Sequence, residues 1–259
     1  MLAGYGNLNT VTRFEVNAMT DFFVFADSEE LSRAAAELFI ACSHAALNDR
    51  GRFTVALSGG STPKRLFEIL ASEPYWRAVP WDRTFFFWGD DRAVPPDDDQ
   101  SNYKLAYDAL LASVPIPEAN ILRIRGEKGA TAAAEDMRRN LVNTFGDKDI
   151  PRFDFLLQGM GEDGHTASLF PGTDALEATD WVVPVIDPPA SPKLDRVTLT
   201  FPVLNNARTA LFLAAGENKQ SLIAEIMNDP TAADRYPAAR LEAEDTIWYV
   251  DEAAFGITI

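Results

Sequence analysis

The chain has 259 residues, 47% of them hydrophobic, which is enough for a sizeable packed core and allows one or two domains. Acidic residues outnumber basic ones by 39 to 23, and the net charge of −16 disfavours binding to nucleic acid or to an anionic membrane. The single cysteine, Cys42, excludes an intramolecular disulfide, and no apolar run is long enough to span a bilayer.

The first twenty residues contain neither a basic leader nor an apolar signal segment, so we expect a soluble cytoplasmic protein. We assign residues 1–21 to an N-terminal extension and residues 22–259 to a single domain. No linker, low-complexity block or internal repeat interrupts the chain to suggest a second domain. We expect a monomer or a weak homo-oligomer.

Short apolar runs alternate with amphipathic segments along the chain. In order they are 22–25, 29–47, 53–57, 63–70, 85–88, 102–111, 132–145, 155–158, 210–214, 219–227 and 247–250. This alternation predicts an α/β protein of three layers, with a mostly parallel, doubly wound sheet and helices on both faces. The first helix is predicted to begin at a capping pair, Asp27 and Glu30, and to end at Gly51. His44 points away from the apolar face of this helix and is interpreted as a surface residue.

Three turns at the carboxyl ends of predicted strands carry unusual residues, and ligands of open parallel sheets bind at such ends. The first turn consists of Ser58, Gly59, Gly60, Ser61 and Thr62. Thr62 is predicted to cap the following helix, with Pro63 as its first residue. Two glycines and three hydroxyls before a helix favour a phosphate site over an ordinary turn, although the spacing of a nucleotide P-loop is absent.

The second turn delivers Asp90, Asp91 and Arg92 from the buried run 85–88. An arginine beside two carboxylates is held in a fixed orientation that suits a phosphate or an oxyanion. A surface salt-bridge cluster fits the same residues equally well. Adjacent aspartates also suggest a metal site, but hard cations need more oxygen ligands than this turn offers, and we expect no metal.

The third turn, Gly159–Gly172, follows the strand-like run 153–158 and contains His165, one of two histidines. Its first three glycines match the spacing of a dinucleotide fingerprint, but Pro171 stops the chain before the long helix that such a site requires. A histidine at a glycine-lined strand end, with Asp163 nearby to orient it, indicates a general base.

With these turns the chain resembles the 6-phosphogluconolactonases of the pentose phosphate pathway, within the wider fold of glucosamine-6-phosphate deaminases and isomerases. The matching segments are 57–63, 88–95, 101–102, 159–171, 196–200, 204–205, 207, 216, 219 and 248–254. The resemblance implies that the first turn, Arg196 and Lys219 hold a 6-phosphate. It also implies that His165 is the general base and that the ligand is a small sugar phosphate.

The deaminase relatives require a glutamate five residues after the motif histidine, where this chain has Phe170. The resemblance therefore favours hydrolysis of 6-phospho-D-glucono-1,5-lactone to 6-phospho-D-gluconate, without a metal or redox cofactor. In this mechanism His165 deprotonates a water, and Arg92 with backbone N–H groups stabilises the oxyanion. The alternatives are a deaminase or isomerase, a sugar-phosphate sensor without catalysis, and a nucleotide-dependent oxidoreductase. The sequence also leaves open which of Arg92 and Arg196 meets the phosphate, and whether residues 184–192 form a lid.

Overall fold

Strands and helices alternate through the residues that the computed structural model describes, 12–17 and 20–257. The strands are β1 (Thr12–Asn17), β2 (Thr20–Phe25), β3 (Phe53–Leu57), β4 (Thr84–Trp88), β5 (Asp90–Arg92), β6 (Phe155–Gln158), β7 (Val182–Val185), β8 (Arg196–Leu199), β9 (Thr209–Ala214) and β10 (Asp245–Asp251). The α-helices are α1 (Ser28–Arg50), α2 (Ser61–Leu70), α3 (Asn102–Ala109), α4 (Ala130–Phe145), α5 (Phe201–Leu204), α6 (Gln220–Asn228), α7 (Ala232–Arg235) and α8 (Glu252–Phe255). Short 3₁₀ turns connect several of them, including Asp174–Glu177, Glu217–Lys219 and Pro237–Arg240.

The main sheet has the strand order β1-β2-β10-β9-β6-β3-β4 within the described residues. Every neighbouring pair from β2 to β4 is parallel, and only the β1–β2 pair in this sheet is antiparallel. All residues of β3 and of β9 are buried, as expected for central parallel strands covered on both faces. The predicted α/β class and the mostly parallel sheet are confirmed.

Helix α1 has the predicted ends. The Asp27 carboxylate accepts hydrogen bonds from the backbone N–H groups of Glu29 and Glu30, and Gly51 ends the helix with a φ of +69°. His44 is exposed on this helix, with Nε2 2.6 Å from the Ala78 carbonyl oxygen. Burial raises the pKa of the Cys42 thiol to about 12, so this side chain is protonated at neutral pH.

A second, three-stranded sheet of order β5-β8-β7 was not predicted. Both of its strand pairs are antiparallel, and the register places Arg92 directly opposite Arg196. This small sheet brings the second predicted turn against a segment more than a hundred positions later in the chain.

Two boundaries differ from the predicted ones. Helix α2 begins at Ser61 with Gly60 at its N-cap, so the expected cap at Thr62 is wrong. The described part of the predicted N-terminal extension contains β1 and the first two residues of β2, while residues 1–11 and 18–19 lie outside the described chain. Among the described helices, none has the length and apolarity needed to cross a membrane.

Candidate active site

A cleft of about 350 Å³ opens at the carboxyl ends of β3, β6 and β9, which is the small end of the range for ligand sites. The sequence-predicted residues that line it are Ser58, Gly59, Gly60, Ser61, Thr62, Arg92, His165, Arg196 and Lys219. The tenth predicted residue, Asp163, is hydrogen-bonded to His165 at this cleft. The three turns therefore meet at one place, as the parallel sheet led us to expect.

The turn after β3 leads directly into the first turn of α2. Gly60 has a φ of +115°, a backbone conformation that residues other than glycine rarely adopt. This glycine places Ser61 at the first helical position. The early N–H groups of a helix lack intrahelical acceptors and carry the positive end of its dipole. Since Ser61 and Thr62 both line the cleft, this helix end offers donors to an anion there.

Asn102 connects this turn to Arg92. A Cβ on Gly59 would lie 1.9 Å from Asn102 Oδ1, so the absence of a side chain at Gly59 allows the close approach of Asn102. Arg92 Nη1 donates hydrogen bonds to Asn102 Oδ1 at 2.9 Å and to the Gln100 carbonyl at 2.8 Å. The guanidinium is therefore oriented by these neutral oxygens, and the expectation that Asp90 and Asp91 orient it is replaced.

Arg92 and Arg196 lie opposite each other on adjacent antiparallel strands and both line the cleft. Like charges in this arrangement repel. Burial lowers the pKa of the Arg196 guanidinium; Asp90 opposes this effect and the Arg92 charge adds to it. The Nε atoms of both arginines are buried without a hydrogen-bond partner among the described residues. Two cations side by side, each with a buried Nε that lacks a hydrogen-bond partner among the described residues, form a site that an anion would stabilise.

Asp90 is a buried carboxylate, to which sequence reasoning gave only the role of orienting Arg92. Its Oδ2 lies 3.9 Å from Arg196 Nη1 and accepts a 2.6 Å hydrogen bond from the Ser168 hydroxyl. Asn102 Nδ2 donates to the Asp90 carbonyl at 3.0 Å. Asp90 therefore links Arg196 to the turn that carries His165.

Asp91 anchors the start of α3. Its carboxylate accepts hydrogen bonds from the backbone N–H groups of Arg92, Asn102 and Tyr103 and from the Ser101 hydroxyl, at 2.7 to 3.1 Å. Burial raises the pKa of Asp91 to about 6, although these backbone hydrogen bonds act in the opposite direction. Asp91 contributes to the position of Asn102 and is not itself part of the cleft lining.

His165 and Asp163 form a close pair, with His165 Nδ1 2.5 Å from Asp163 Oδ1. Burial of the Asp163 carboxyl opposes its ionisation, but the hydrogen bond and charge of His165 outweigh this, and the pKa of Asp163 lies below its ordinary value. An ionised carboxylate only accepts hydrogen bonds, so Nδ1 carries the proton and Nε2 is the basic nitrogen. This is the tautomer that a general base requires.

Gly161 makes this pair sterically feasible. A Cβ at Gly161 would lie 2.1 Å from His165 Nδ1 and 2.7 Å from Asp163 Oδ1. The Gly161 N–H also donates to the His165 carbonyl at 2.9 Å, which closes the turn. No long helix follows, in agreement with the argument against a dinucleotide site.

Phe170 is fully buried between the histidine and the arginine. Its ring centroid is 4.5 Å from that of His165, and the Arg196 Cζ lies 5.4 Å from the ring centre. At the position where the resemblance leads us to expect a glutamate in a ring-opening enzyme, this chain has an aromatic ring in contact with the His165 ring. Ala167, next to this group in the cleft, has a φ of +49°, a strained conformation of the kind that concentrates at functional sites.

Lys219 lies on the His165 side of the cleft. Its Nζ donates to the Met160 carbonyl at 2.9 Å, and burial lowers its pKa. The neighbouring Asn218 also lines the cleft and donates to Glu162 Oε1 at 2.8 Å. In the described chain, no group of three or more His, Cys, Asp or Glu side chains is arranged to hold a metal ion.

Sequence reasoning missed Asn102, Asn218 and the linking role of Asp90. Asn102 lies in the segment 101–102 that matches the family pattern, and this match was the signal that could have identified it. The contacts that give these residues their roles depend on the pairing of β5 with β8 and on the turn after β9.

The sequence and the fold match those of known proteins. A family model described as glucosamine-6-phosphate isomerases/6-phosphogluconolactonase matches residues 26–248. The chain is 41% identical over 216 residues to 6-phosphogluconolactonase 3, chloroplastic, of Arabidopsis thaliana; this match covers 80% of this chain and 65% of that longer one. It is 36% identical over 236 residues to the 6-phosphogluconolactonase of Nostoc sp., covering 89% and 95% of the two chains. A crystal structure of 6-phosphogluconolactonase from Thermotoga maritima aligns with a TM-score of 0.78 at 31% identity, covering 90% and 99%.

Proposed function

Since this chain belongs to the family of glucosamine-6-phosphate isomerases and 6-phosphogluconolactonases, we propose that it hydrolyses 6-phospho-D-glucono-1,5-lactone to 6-phospho-D-gluconate in the oxidative pentose phosphate pathway. The observation that carries the proposal is the His165–Asp163 pair, with Phe170 packed against the histidine ring. This arrangement supplies one oriented base without a second carboxylate at the position of Phe170. Hydrolysis of a lactone needs no more than that, because one imidazole can serve as base and then as acid.

The substrate phosphate is held at the start of α2. In this proposal the donors of Ser58–Thr62 bind the phosphate oxygens, and Arg196 and Lys219 neutralise their charge. The unpartnered Arg196 Nε and the cleft-lining position of all these residues support the assignment. A phosphate handle fixes the lactone ring relative to His165, and such positioning lowers the entropic part of the barrier.

The reaction begins when His165 Nε2 takes a proton from a water that attacks C1 of the lactone. The resulting tetrahedral oxyanion is stabilised by Arg92 and by backbone N–H groups of the glycine turns. The C1–O5 bond then breaks, and the imidazolium returns its proton to O5. Water has added across the ester bond, and His165 is neutral again. General base catalysis of this kind contributes about 10²–10⁴-fold to the rate.

A lactone-hydrolysis assay tests the function. Freshly generated 6-phosphogluconolactone is mixed with the protein, and acid release is followed above the spontaneous rate. We expect fast turnover by the wild type and a fall in kcat of at least about a hundredfold for His165→Ala, with KM little changed. His44→Ala removes the other, exposed histidine on α1 and serves as the matched control.

Two results would contradict the proposal. Near-normal turnover by His165→Ala removes this residue from the mechanism. Release of ammonia from glucosamine 6-phosphate, in the absence of lactone hydrolysis, assigns the chain to the deaminase branch of the family.

The cytoplasmic location and the monomeric or weakly associated state remain predictions. Cell fractionation and size-exclusion chromatography measure them directly.

A further inference from the structure

Residues 229–240, which we call the strap, connect α6 to the segment before β10 and take no part in the mechanism above. The strap contains α7 and the 3₁₀ turn Pro237–Arg240. Its residues Pro237 and Ala238 are buried, and Tyr236 is partly buried. This segment lies against the turn that carries His165.

The contact is made at Gly164, the residue between Asp163 and His165. Gly164 is buried and has a φ of +79°. A Cβ at Gly164 would lie 2.5 Å from Cδ1 of Tyr236 and 2.9 Å from its Cβ, so the Tyr236 side chain covers the Gly164 Cα directly. The Ala238 N–H donates to the Gly164 carbonyl at 2.9 Å. Gly164 is therefore fixed by a side chain and a backbone amide of the strap.

The position of Gly164 determines the geometry of the catalytic pair. The two peptide units that flank Gly164 connect it to Asp163 and to His165. The Gly164 N–H donates to the Gly161 carbonyl at 3.2 Å, and the His165 N–H donates to Asp163 Oδ1 at 3.1 Å. A displacement of Gly164 must therefore change the short Asp163–His165 contact, in a turn whose tip is otherwise exposed.

Side-chain hydrogen bonds hold the strap on both sides of the turn that carries His165. The Tyr236 hydroxyl donates to Glu225 on α6 at 2.6 Å, and Arg235 bonds to Glu225 and Asp229. At the other end, Arg240 Nη1 donates to Glu177, which follows the turn in sequence, at 2.7 Å. Exposed ion pairs such as these contribute little individually. The packing of the Tyr236 ring on Gly164 is the contact that bears on His165.

We infer that Tyr236 is a positioning residue, whose ring, together with the Ala238 amide, holds Gly164 and thereby sets the orientation of the His165 imidazole. The inference rests on the proposed function, because His165 matters only if it is the base. Tyr236 acts through Gly164 and does not touch the substrate.

Two substitutions at Tyr236 separate packing from hydrogen bonding. Tyr236→Ala removes the ring, and we expect kcat to fall at least about tenfold, since misplacement of a catalytic group by 1 Å costs about a hundredfold. KM should stay within about twofold, because the strap bonds to Gly164, Glu225 and Glu177, which are not among the proposed phosphate-binding residues. Tyr236→Phe keeps the ring and loses the bond to Glu225, and its kcat and KM should both match the wild type.

A readout independent of activity uses the ¹⁵N signals of the imidazole rings. The wild type should show His165 as the Nδ1–H tautomer, and Tyr236→Ala should show a mixture of tautomers. His44 is the only other histidine and provides an internal reference. If the wild type does not hydrolyse the lactone, the proposed function fails, whereas these signals still report whether Tyr236 orients His165.

The inference is overturned if Tyr236→Ala keeps both the wild-type kcat and the wild-type His165 signals. It is also overturned if Tyr236→Phe loses as much activity as Tyr236→Ala, or if KM rises in proportion to the fall in kcat. Should Tyr236→Ala fail to fold, Gly164→Ala tests the same contact by changing Gly164 instead of Tyr236. Its new methyl group displaces the Tyr236 ring, and the same loss of kcat at constant KM is expected; wild-type kinetics for Gly164→Ala contradict the inference.

Discussion

The chemistry of the candidate site depends on which nitrogen of His165 carries its proton. Asp163 Oδ1 accepts a 2.5 Å hydrogen bond from Nδ1–H, and this leaves Nε2 unprotonated and able to act as a base. A carboxylate suits this position for two reasons: its negative charge attracts Nδ1–H, and it cannot donate a hydrogen bond to Nδ1.

Asp163→Asn should lower kcat by at least about tenfold at unchanged KM. The amide of asparagine can donate to Nδ1, which stabilises the tautomer whose Nε2 is already protonated. Steady-state kinetics measure the effect. Asp174→Asn makes the same chemical change at an exposed position a few residues after the turn, and its kinetics should equal those of the wild type. Equal kinetics for Asp163→Asn and the wild type would show that Asp163 does not select the tautomer.

Asp91 should titrate far from its ordinary range. Its pKa is raised to about 6 from 3.8 by burial, so the folded chain holds this proton more tightly than the unfolded chain does. As pH rises through this window, the unfolded chain ionises first and the Asp91 carboxyl lowers the free energy of unfolding. A ¹³C titration of the carboxyl group should have its midpoint near pH 6.

The effect of Asp91 on the pH dependence of the free energy of unfolding is isolated by comparison with Asp91→Asn. Asp91→Asn does not titrate, so the free energy of unfolding of the wild type minus that of Asp91→Asn should decrease between pH 4 and pH 6. A difference that is constant or increases over this interval contradicts the raised pKa.

Local signals in the sequence identified much of the candidate site. Two glycines with three hydroxyls before a helix, and a histidine in a glycine-rich turn, are each contained within a few consecutive residues. The contacts of Asn102 and Asp90 carry no such local signal. Their contacts join residues 10 to 78 positions apart, such as the bond from Ser168 to Asp90, and those contacts exist only once the chain has folded.

At the scale of elements, the turn between Gly161 and His165 is closed so tightly that one methyl group disturbs it. Gly161→Ala places a Cβ 2.1 Å from His165 Nδ1, and the ring has to move. We expect kcat to fall by about a hundredfold. Steady-state kinetics and thermal unfolding together measure this change.

Gly172→Ala is the matched control for that substitution. Gly172 ends the same turn with a φ of +74°, and a Cβ there would have no atom within 4 Å. The variant should lose about 1 kcal/mol of stability from its left-handed backbone while keeping wild-type kcat. If both glycine variants lose activity equally, strain in the turn and not displacement of the ring explains the effect.

The main sheet was predictable because its strands are apolar runs separated by long helical segments, such as 53–57 followed by 63–70. The small sheet was not. Strand β5 is Asp-Asp-Arg, three charged residues without β propensity, and it pairs only because β8 lies beside it. Tertiary contacts define such short strands, so local patterns cannot reveal them.

At the scale of the whole molecule, a chain of net charge −16 has three cationic side chains, Arg92, Arg196 and Lys219, and one carboxylate, Asp90, lining a single cleft. Inorganic phosphate should therefore stabilise the fold by binding the native state. For a chain of this length, each 1 kcal/mol of binding free energy raises Tm by about 2–4 °C. Calorimetry with 1–50 mM phosphate measures the shift.

Arg196→Ala should abolish most of that shift in Tm, and potassium chloride at equal ionic strength should not reproduce it in the wild type. An equal shift for Arg196→Ala and the wild type would indicate that phosphate acts elsewhere or only through the solvent.

The register that sets Arg92 opposite Arg196 also bears on how this protein would respond to selection. Without an anion in the cleft, the two guanidiniums repel, so an uncharged residue at position 92 relieves the empty protein of that repulsion. Random mutagenesis screened for heat resistance alone should therefore collect replacements of Arg92. The same variants should lose turnover, because an uncharged residue at position 92 favours thermal stability whereas the proposed mechanism needs the positive charge of Arg92.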